Sequence, residues 1–330
     1  MKLYFYPNYD NKQEDANPYV YNYLRSISGD VIISKNINRV KLPRGFDFLR
    51  QSLSNDAYIV NWLEDIDTFA FGGVQSLMTM LGLLFIHIRK KKIIWMFHNM
   101  HPHRGETFWS NQIKKILYKN SSIIIAHSYE AKLYAEKHTK KTVVYKCHPV
   151  SEIKVSEWAY PVDECDILIW GSIYPYKGVY EFLKMEEVQN SNLKIRVVGK
   201  CKDDGLSNKI LALCSGNIVF ENRSASFDEI AAMCKKARCV LFPYVGNSIS
   251  SSGVLIDTLC MGGVPAGPNR GAFMDLAKEG CCITYDSPKE ILSKIDRIEC
   301  IDKKKIREFC NNNSWDSFGN YVLNLINDNC

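Results

Sequence analysis

Three histidines fall within six positions, in HNMHPH at 98–103. Histidine is the side chain most often recruited for metal binding and for proton transfer near neutral pH. The chain has seven histidines in all, so this clustering needs a cause. A zinc site would need further ligands and a carboxylate at suitable spacing. The segment contains no aspartate, and the nearest carboxylate is Glu106. Six positions with a proline among them place two ligands on one ion more readily than three. The competing reading sets His98 just past the carboxyl end of the buried strand KIIWMF, where open α/β sheets bind ligands. His101 and His103 then shape the loop or contact an acceptor, and no metal is expected.

Two further stretches suit an anion. In DILIWGSIYPYKGVYEFL (166–183) a buried strand ends at Trp170. Gly171 permits a tight exit and close approach of a ligand. Lys177 and Gly178 then precede a helix, and a helix start beside a lysine holds phosphate well. In CVLFPYVGNSISSSGVLIDTLCMGGVPAGPNRG (239–271), Ser250, Ser251, Ser252 and Gly253 offer hydroxyls and backbone N–H groups where a helix begins. Either stretch alone is also met as an ordinary βα turn or an N-cap. Two such helix starts in one α/β region, both after strand carboxyl ends, point together to a phosphorylated ligand.

The elements that must position these residues are legible from hydrophobic patterning. Short apolar runs alternate with helical stretches along the chain. Strands are expected at KLYFY, VIIS, AYIVNW, KIIWMF, SIIIAH and TVVYK, then at DILIW, LKIRVVG, NIVF, CVLFPY and VPAG. Several are continuously apolar and β-branched, as strands buried on both faces of a parallel sheet are. SFDEIAAMCKKA reads as a helix with Ser226 as N-cap and Glu229 completing a capping box. The alternation implies two doubly wound α/β domains. Their junction is expected in HPVSEIKVSEWAYPVDEC (148–165), which carries two prolines and little periodicity.

Composition narrows the function. The chain has 330 residues, 46% hydrophobic and 24% charged, with a formal charge of +6. That suits a globular protein with a full core. The basic residues are scattered and no recognition motif appears, so nucleic acid is not an expected partner. Twelve cysteines follow no framework, and KLYFYP at the start is strand-like rather than a signal sequence. A reduced, cytoplasmic protein with buried thiols is expected. The apolar run VQSLMTMLGLLFIHI (74–88) leads into Arg89-Lys90-Lys91-Lys92. It is shorter than a membrane span. It fits a core helix with a cation-complemented C-terminus, and it also fits docking on an anionic leaflet.

On these residues the C-terminal half resembles the donor domain of GT-B glycosyltransferases, near family 4. Gly171, Pro175, Lys177 and Gly178 match that family's G-x-x-x-P-x-K-G loop. Pro243, Ser251-Ser252-Gly253 and Thr258 through Gly263, Val264 and Pro265 match its second segment. The N-terminal half is similar to a subgroup from capsule and exopolysaccharide pathways, in AYIVNWLED, KIIWMFHNMHPHRGE and the closing FCNNNSWDSFGNYVLNLI. The resemblance implies a GT-B fold, with two Rossmann-like domains facing an interdomain cleft. The acceptor domain would span 1–155, the donor domain 156–312, and a helix at 313–330 would return to the first domain.

The implied activity is transfer of a sugar from a UDP- or GDP-sugar to a hydroxyl of a growing saccharide. The donor counts as a substrate, and no cofactor is expected. A polyprenyl-diphosphate-linked acceptor and the inner membrane surface are the further partners suggested. Lys177 and the Ser251–Gly253 amides would hold the phosphates, with Gly171, Ser172 and Gly178 in the same loop. Inversion would need a base. Glu64 and Asp65, at the end of AYIVNWLE, are the first candidates and His98 the second. Tyrosines in 6–24 would face the acceptor. There are departures from the pattern. The family's two glutamates fall on Ser250 and Thr258, and Ser172 stands where arginine is frequent. Asp257 is then the carboxylate within reach of the ribose, and retaining stereochemistry does not follow. The missing glutamates also fit a non-catalytic nucleotide-sugar-binding subunit.

Overall fold

The computed structural model describes residues 1–7, 17–29, 31–34, 43–100, 105–151, 160–245, 252–295, 298 and 301–328. His101, His103, Ser250, Ser251, residues 8–16 of the 6–24 stretch and much of the expected junction lie outside the described residues. The chain divides into two compact units, Met1–Cys147 with Trp315–Cys330, and His148–Ser314.

The first unit is built on strands β1 (Lys2–Tyr6), β2 (Ile32–Ile33), β3 (Ala57–Asn61), β4 (Lys92–Phe97), β5 (Ile123–Ala126) and β6 (Thr142–Tyr145). They pair in the order β2-β1-β3-β4-β5-β6, with every pairing parallel. Successive side chains of a strand point to opposite faces, and the core separates accordingly. Tyr4, Tyr58, Val60, Trp95 and Ile124 pack beneath the helices Arg44–Gln51, Gly72–Ile88, Phe108–Asn120 and Tyr129–Glu136. Leu3, Phe5, Ile59, Ile94 and Ile125 pack beneath Pro18–Ile27 and the C-terminal helix Trp315–Asp328. Strands buried on both faces must be apolar at every position, which is why they read as unbroken apolar runs.

The second unit repeats the plan with β7 (Cys165–Trp170), β8 (Ile195–Val198), β9 (Ile218–Glu221), β10 (Ala237–Leu241), β11 (Pro265–Pro268) and β12 (Ile283–Tyr285). The order is β12-β11-β10-β7-β8-β9, again all parallel. Two six-stranded parallel sheets flanked by helices give the two-domain α/β, GT-B-type fold that the alternation and the resemblance implied. Strand β12 was not expected: three residues, one of them Thr284, give too short a pattern to read. The capping box at Ser226 forms by half. Ser226 Oγ accepts from the Glu229 N–H at 3.2 Å. The Glu229 carboxylate turns instead to the Arg223 guanidinium. A charge-assisted pair outcompetes a single backbone N–H for a carboxylate.

In each sheet the strand order reverses direction once, between β1 and β3 in the first unit and between β7 and β10 in the second. Ligands of open α/β sheets bind outside the carboxyl ends at such points, because diverging connections leave a crevice there.

Candidate functional site

At the switch point of the second unit, β7 ends in Trp170 and the chain leaves through Gly171 at φ +100°. A Cβ at Gly171 would lie 3.5 Å from Lys177 Nζ and 3.5 Å from the Val254 methyls, in a backbone conformation that L-residues rarely adopt. Pro175–Lys177 then forms a single 3-10 turn. Gly178 closes that turn at φ +66°, where a Cβ would stand 2.0 Å from the Pro243 carbonyl oxygen. The loop therefore lies tight against the segment after β10, and Val245 N–H donates to the Tyr176 carbonyl at 3.0 Å. Tyr174 and Tyr176 stack outside it, rings 5.9 Å apart.

This packing carries the Lys177 side chain inward. The residue is 7% exposed. Among the described residues no carboxylate pairs with its ammonium; its Nζ lies 5.9 Å from the centroid of the Tyr244 ring. Desolvation pushes its pKa down to about 8. Across Gly171 lies the start of the helix Gly253–Cys260. Ser252, at the N-cap, makes no side-chain cap; its hydroxyl pairs with the Tyr244 hydroxyl at 3.3 Å. A desolvated cation, a positive-φ glycine and a helix start without a side-chain cap thus converge at one strand end. That arrangement suits a group with several anionic oxygens.

The other expected donor-site residues are placed as follows. Ser172 is exposed beside Gly171. Asp257 lies one turn into the helix, and burial raises its carboxyl to about 6. Thr258, in the position of a family glutamate, is fully buried. Its hydroxyl accepts from the Trp170 indole at 2.9 Å and donates to the Val254 carbonyl at 2.8 Å. It is a packing residue that braces the helix against β7.

The first unit has its own cluster at the β1/β3 switch point. Asn61 closes β3, and its amide Nδ2 donates across the switch to the Tyr6 carbonyl at 2.8 Å. Its Oδ1 is therefore an acceptor, and His98 Nε2 meets it at 3.1 Å as a donor. Trp62 adopts φ +52°, uncommon for a bulky residue. That turn lays its indole on the His98 ring, centroids 4.1 Å apart and planes 17° apart. Tyr19 stands edge-on to His98 and bonds His127 Nε2 at 2.8 Å. His127 Nδ1 donates to the Lys146 carbonyl at 2.9 Å, so its Nε2 accepts from the tyrosine hydroxyl.

Beside this cluster a cavity of about 310 Å³ opens at the strand ends. Asn61, Trp62, Arg44, Asp65 and Asp67 are among its lining residues. The Arg44 guanidinium lies over Phe69, 3.9 Å from the ring centroid, and Thr107 Oγ1 donates to Asp67. Glu64 and Asp65 are separated here. Asp65 lines the cavity, but Glu64 is only 2% exposed. Burial, then the neighbouring Asp65 charge, raises the Glu64 carboxyl to about 7. Its Oε2 makes no hydrogen bond of ordinary geometry, and the buried Trp95 indole N–H beside it likewise makes none. Consecutive residues of the 3-10 turn Leu63–Thr68 point to different sides, so one carboxylate faces the cavity and the other the core.

Sequence reasoning passed over Asn61, Trp62, Asp67 and His127. A signal existed for His127: SIIIAHS sets it just past a buried strand, as KIIWMFH sets His98. None marked Trp62, whose left-handed backbone is a tertiary outcome. Among the described residues no three histidine, cysteine or acidic side chains gather as metal ligands.

No protein-family model matches the sequence, and no curated protein matches it. Solved structures do match in fold. HepE of Anabaena, solved with UDP-glucose, superposes with a TM-score of 0.69 at 10% identity, over 99% of this chain and 100% of that one. The E. coli trehalose-6-phosphate protein bound with UDP-2-fluoro glucose gives 0.65 at 8% identity, over 99% of each chain. TarM of S. aureus gives 0.61 at 13% identity, over 86% of this chain and 59% of that one. At such identities the likeness establishes that this chain has the fold of these proteins.

Proposed function

We propose that this protein is a glycosyltransferase of hexosyl type, moving a sugar from a UDP- or GDP-sugar to a saccharide hydroxyl. The observation that carries the reading is Lys177. A lysine held out of water with no carboxylate paired to it among the described residues raises the energy of the free protein. A diphosphate in the crevice would supply the missing counter-charge. The fold neighbours solved with UDP-glucose and UDP-2-fluoro glucose support a nucleotide-sugar as the anion. As the glycosidic bond breaks, negative charge grows on the departing nucleoside diphosphate. Lys177 and the N–H groups at the start of Gly253–Cys260 would stabilise that charge, which is the largest contribution in most such reactions. Asp257 serves the ribose hydroxyls in this reading.

The acceptor belongs with the first-unit cavity, where carboxylates, a guanidinium and an indole face offer the groups that bind sugar hydroxyls and stack on sugar rings. Asp65 is the base for an inverting reaction, since it lines that cavity. His98 holds the wall through Asn61. Glu64, carried from the sequence as a candidate, supports the turn from inside. The wider reading places the reaction in capsular or exopolysaccharide synthesis, on a lipid-linked saccharide at the inner membrane surface.

The test is thermal stabilisation by UDP, GDP, CMP and ADP, followed by donor consumption with and without saccharide acceptors. A nucleotide at about a hundred times its dissociation constant adds roughly 2.7 kcal/mol. Selective stabilisation by UDP or GDP, lost in Lys177→Met, supports the reading; no stabilisation by any nucleotide overturns it. A second reading, a non-catalytic nucleotide-sugar-binding subunit, is favoured by Thr258, a buried hydroxyl where the family has a carboxylate. It requires nucleotide binding with no turnover of any donor.

A further inference from the structure

The first unit has a second cavity, of about 520 Å³, walled by helix Phe108–Asn120, by Tyr134 of helix Tyr129–Glu136 and by residues 138–141. Five lysines line it, Lys114, Lys115, Lys119, Lys140 and Lys141, against a single carboxylate, Glu106. The first three belong to Phe108–Asn120, a helix without an acidic residue. The other two come from the turn before β6. Among the described residues none of the five forms an ion pair.

Local structure accounts for one of these cations. Lys119 lies in the last turn of its helix, where positive charge complements the helix dipole. Lys115 stands four residues earlier, a like-charge spacing that weakens a helix. Lys114 is 7% exposed, and its Nζ donates to the Met100 carbonyl at 3.3 Å. An ammonium so buried, with one carbonyl for an acceptor, costs free energy. The carboxylate that feels its charge is Glu64, which burial raises to about 7 and so leaves a weak counter-charge at neutral pH. Cations gathered around one cavity repel one another, and a cavity lined by one sign of charge concentrates the opposite sign.

The rest of the lining narrows the anion. His138 stacks on Tyr118, with ring centroids 5.4 Å apart and planes 21° apart, and lies 4.6 Å from the Tyr134 ring. Its Nδ1 donates to the Tyr134 carbonyl at 2.9 Å, which fixes the ring. Thr139 Oγ1 donates to the Tyr118 carbonyl at 2.6 Å and accepts from the Lys141 N–H at 3.0 Å, which ties the lysine-bearing turn to the same helix. Aromatic faces beside cations suit a ligand with both rings and negative charge. Position narrows it further. Residues 105–111 serve both cavities of this unit: Gly105, Thr107 and Ser110 line the smaller one at the strand ends, Glu106 and Asn111 the larger one. The two therefore flank the first turn of Phe108–Asn120, and a chain-like ligand ending in one can continue into the other.

We infer that the lysine-lined cavity holds the acidic groups of a saccharide, and that the acceptor is a polyanionic glycan whose end lies in the smaller cavity. The second clause deepens the proposed function and rests on it; the first stands on the cavity alone. Lysine recognises charge rather than a particular anion geometry, so a uronate oligomer serves as the probe. The experiment titrates the full chain with hexagalacturonate, with neutral maltohexaose and with pyrophosphate at low salt. Two double variants of exposed residues, Lys115→Gln/Lys119→Gln and Lys140→Gln/Lys141→Gln, are compared with wild type. Lys303→Gln/Lys304→Gln, in the other unit, makes the same change of charge as a control. Wild type should bind hexagalacturonate and not maltohexaose, and the binding should weaken as salt is raised. Each cavity variant should bind about 3- to 10-fold more weakly, and the control should bind like wild type. Absence of hexagalacturonate binding by wild type overturns the inference, as do cavity variants that bind no more weakly than the control. Pyrophosphate that displaces hexagalacturonate at equal charge would make this a site for small phosphate groups, lipid-borne or free, and would overturn the saccharide assignment. UDP stabilisation is measured in parallel. UDP stabilisation without hexagalacturonate binding sinks this inference and leaves the transferase reading standing. Lysine-dependent hexagalacturonate binding without UDP stabilisation removes the transferase reading and leaves the acidic-saccharide site.

Discussion

Replacing Lys177 by methionine should move stability and ligand binding in opposite directions. In the folded protein the ammonium has a pKa of about 8 against an ordinary 10.5, and burial is the cause. A depressed lysine pKa means that the unfolded chain binds more protons between those two values, so wild-type stability should rise as pH climbs from 8 to 10.5. Below pH 8 the folded state carries the full penalty. At 1.36 kcal/mol per pH unit that is about 3 kcal/mol as an upper figure, and about 1–3 kcal/mol after local relaxation. Methionine is near in volume and uncharged, so Lys177→Met should stabilise the free protein at pH 7 by that amount. For a unit of this size the melting temperature rises about 2–4 °C per kcal/mol. Removing a buried charge from its anionic partner costs about 2–5 kcal/mol, so UDP should bind at least about 30-fold more weakly. Wild-type affinity should fall as pH rises through 8, because the free protein loses the proton that the diphosphate needs. Scanning calorimetry and UDP titration at pH 7 and 9 check both halves. A variant that melts below wild type while binding UDP normally would refute the reasoning.

Other outcomes follow from the same electrostatics and packing. Asp257, raised to about 6 by burial, should make wild type more stable as pH falls from 6 toward 4. Asp257→Asn should remove that slope and add about 1–2 kcal/mol at pH 7, read by urea unfolding. Glu64, raised to about 7, has the same sign between pH 4.5 and 7. Glu64→Gln should gain about 1–3 kcal/mol at pH 8 and keep its transfer rate, whereas Asp65→Asn should lose at least about 100-fold in kcat. Asn61→Leu removes one hydrogen bond from the Tyr6 carbonyl and one from His98 and should cost about 2–3 kcal/mol in denaturant unfolding.

The sequence by itself determined the alternation of strand and helix and the doubly wound class, because strands covered on both faces must be apolar throughout. It also marked Gly171, Lys177 and Gly178, since a helix start beside a lysine after a buried strand is a local signal. Tertiary structure alone decided what those residues can do. Lys177 is held out of water where Gly178 packs against Pro243, and no spacing encodes that burial or the lack, among the described residues, of a carboxylate paired with it. Glu64 and Asp65 are adjacent in sequence, and the 3-10 turn sends one to the core and the other to the cavity. Trp62 reaches His98 through a left-handed backbone that tryptophan does not favour. The helix Gly72–Ile88 reads as a core helix by composition; it buries Leu83 and Ile86 together with Gln75, Ser76 and Thr79 and leaves Leu77, Leu81 and Leu84 exposed. Periodicity reports which residues share a side of a helix. Which side is buried depends on neighbours far along the chain.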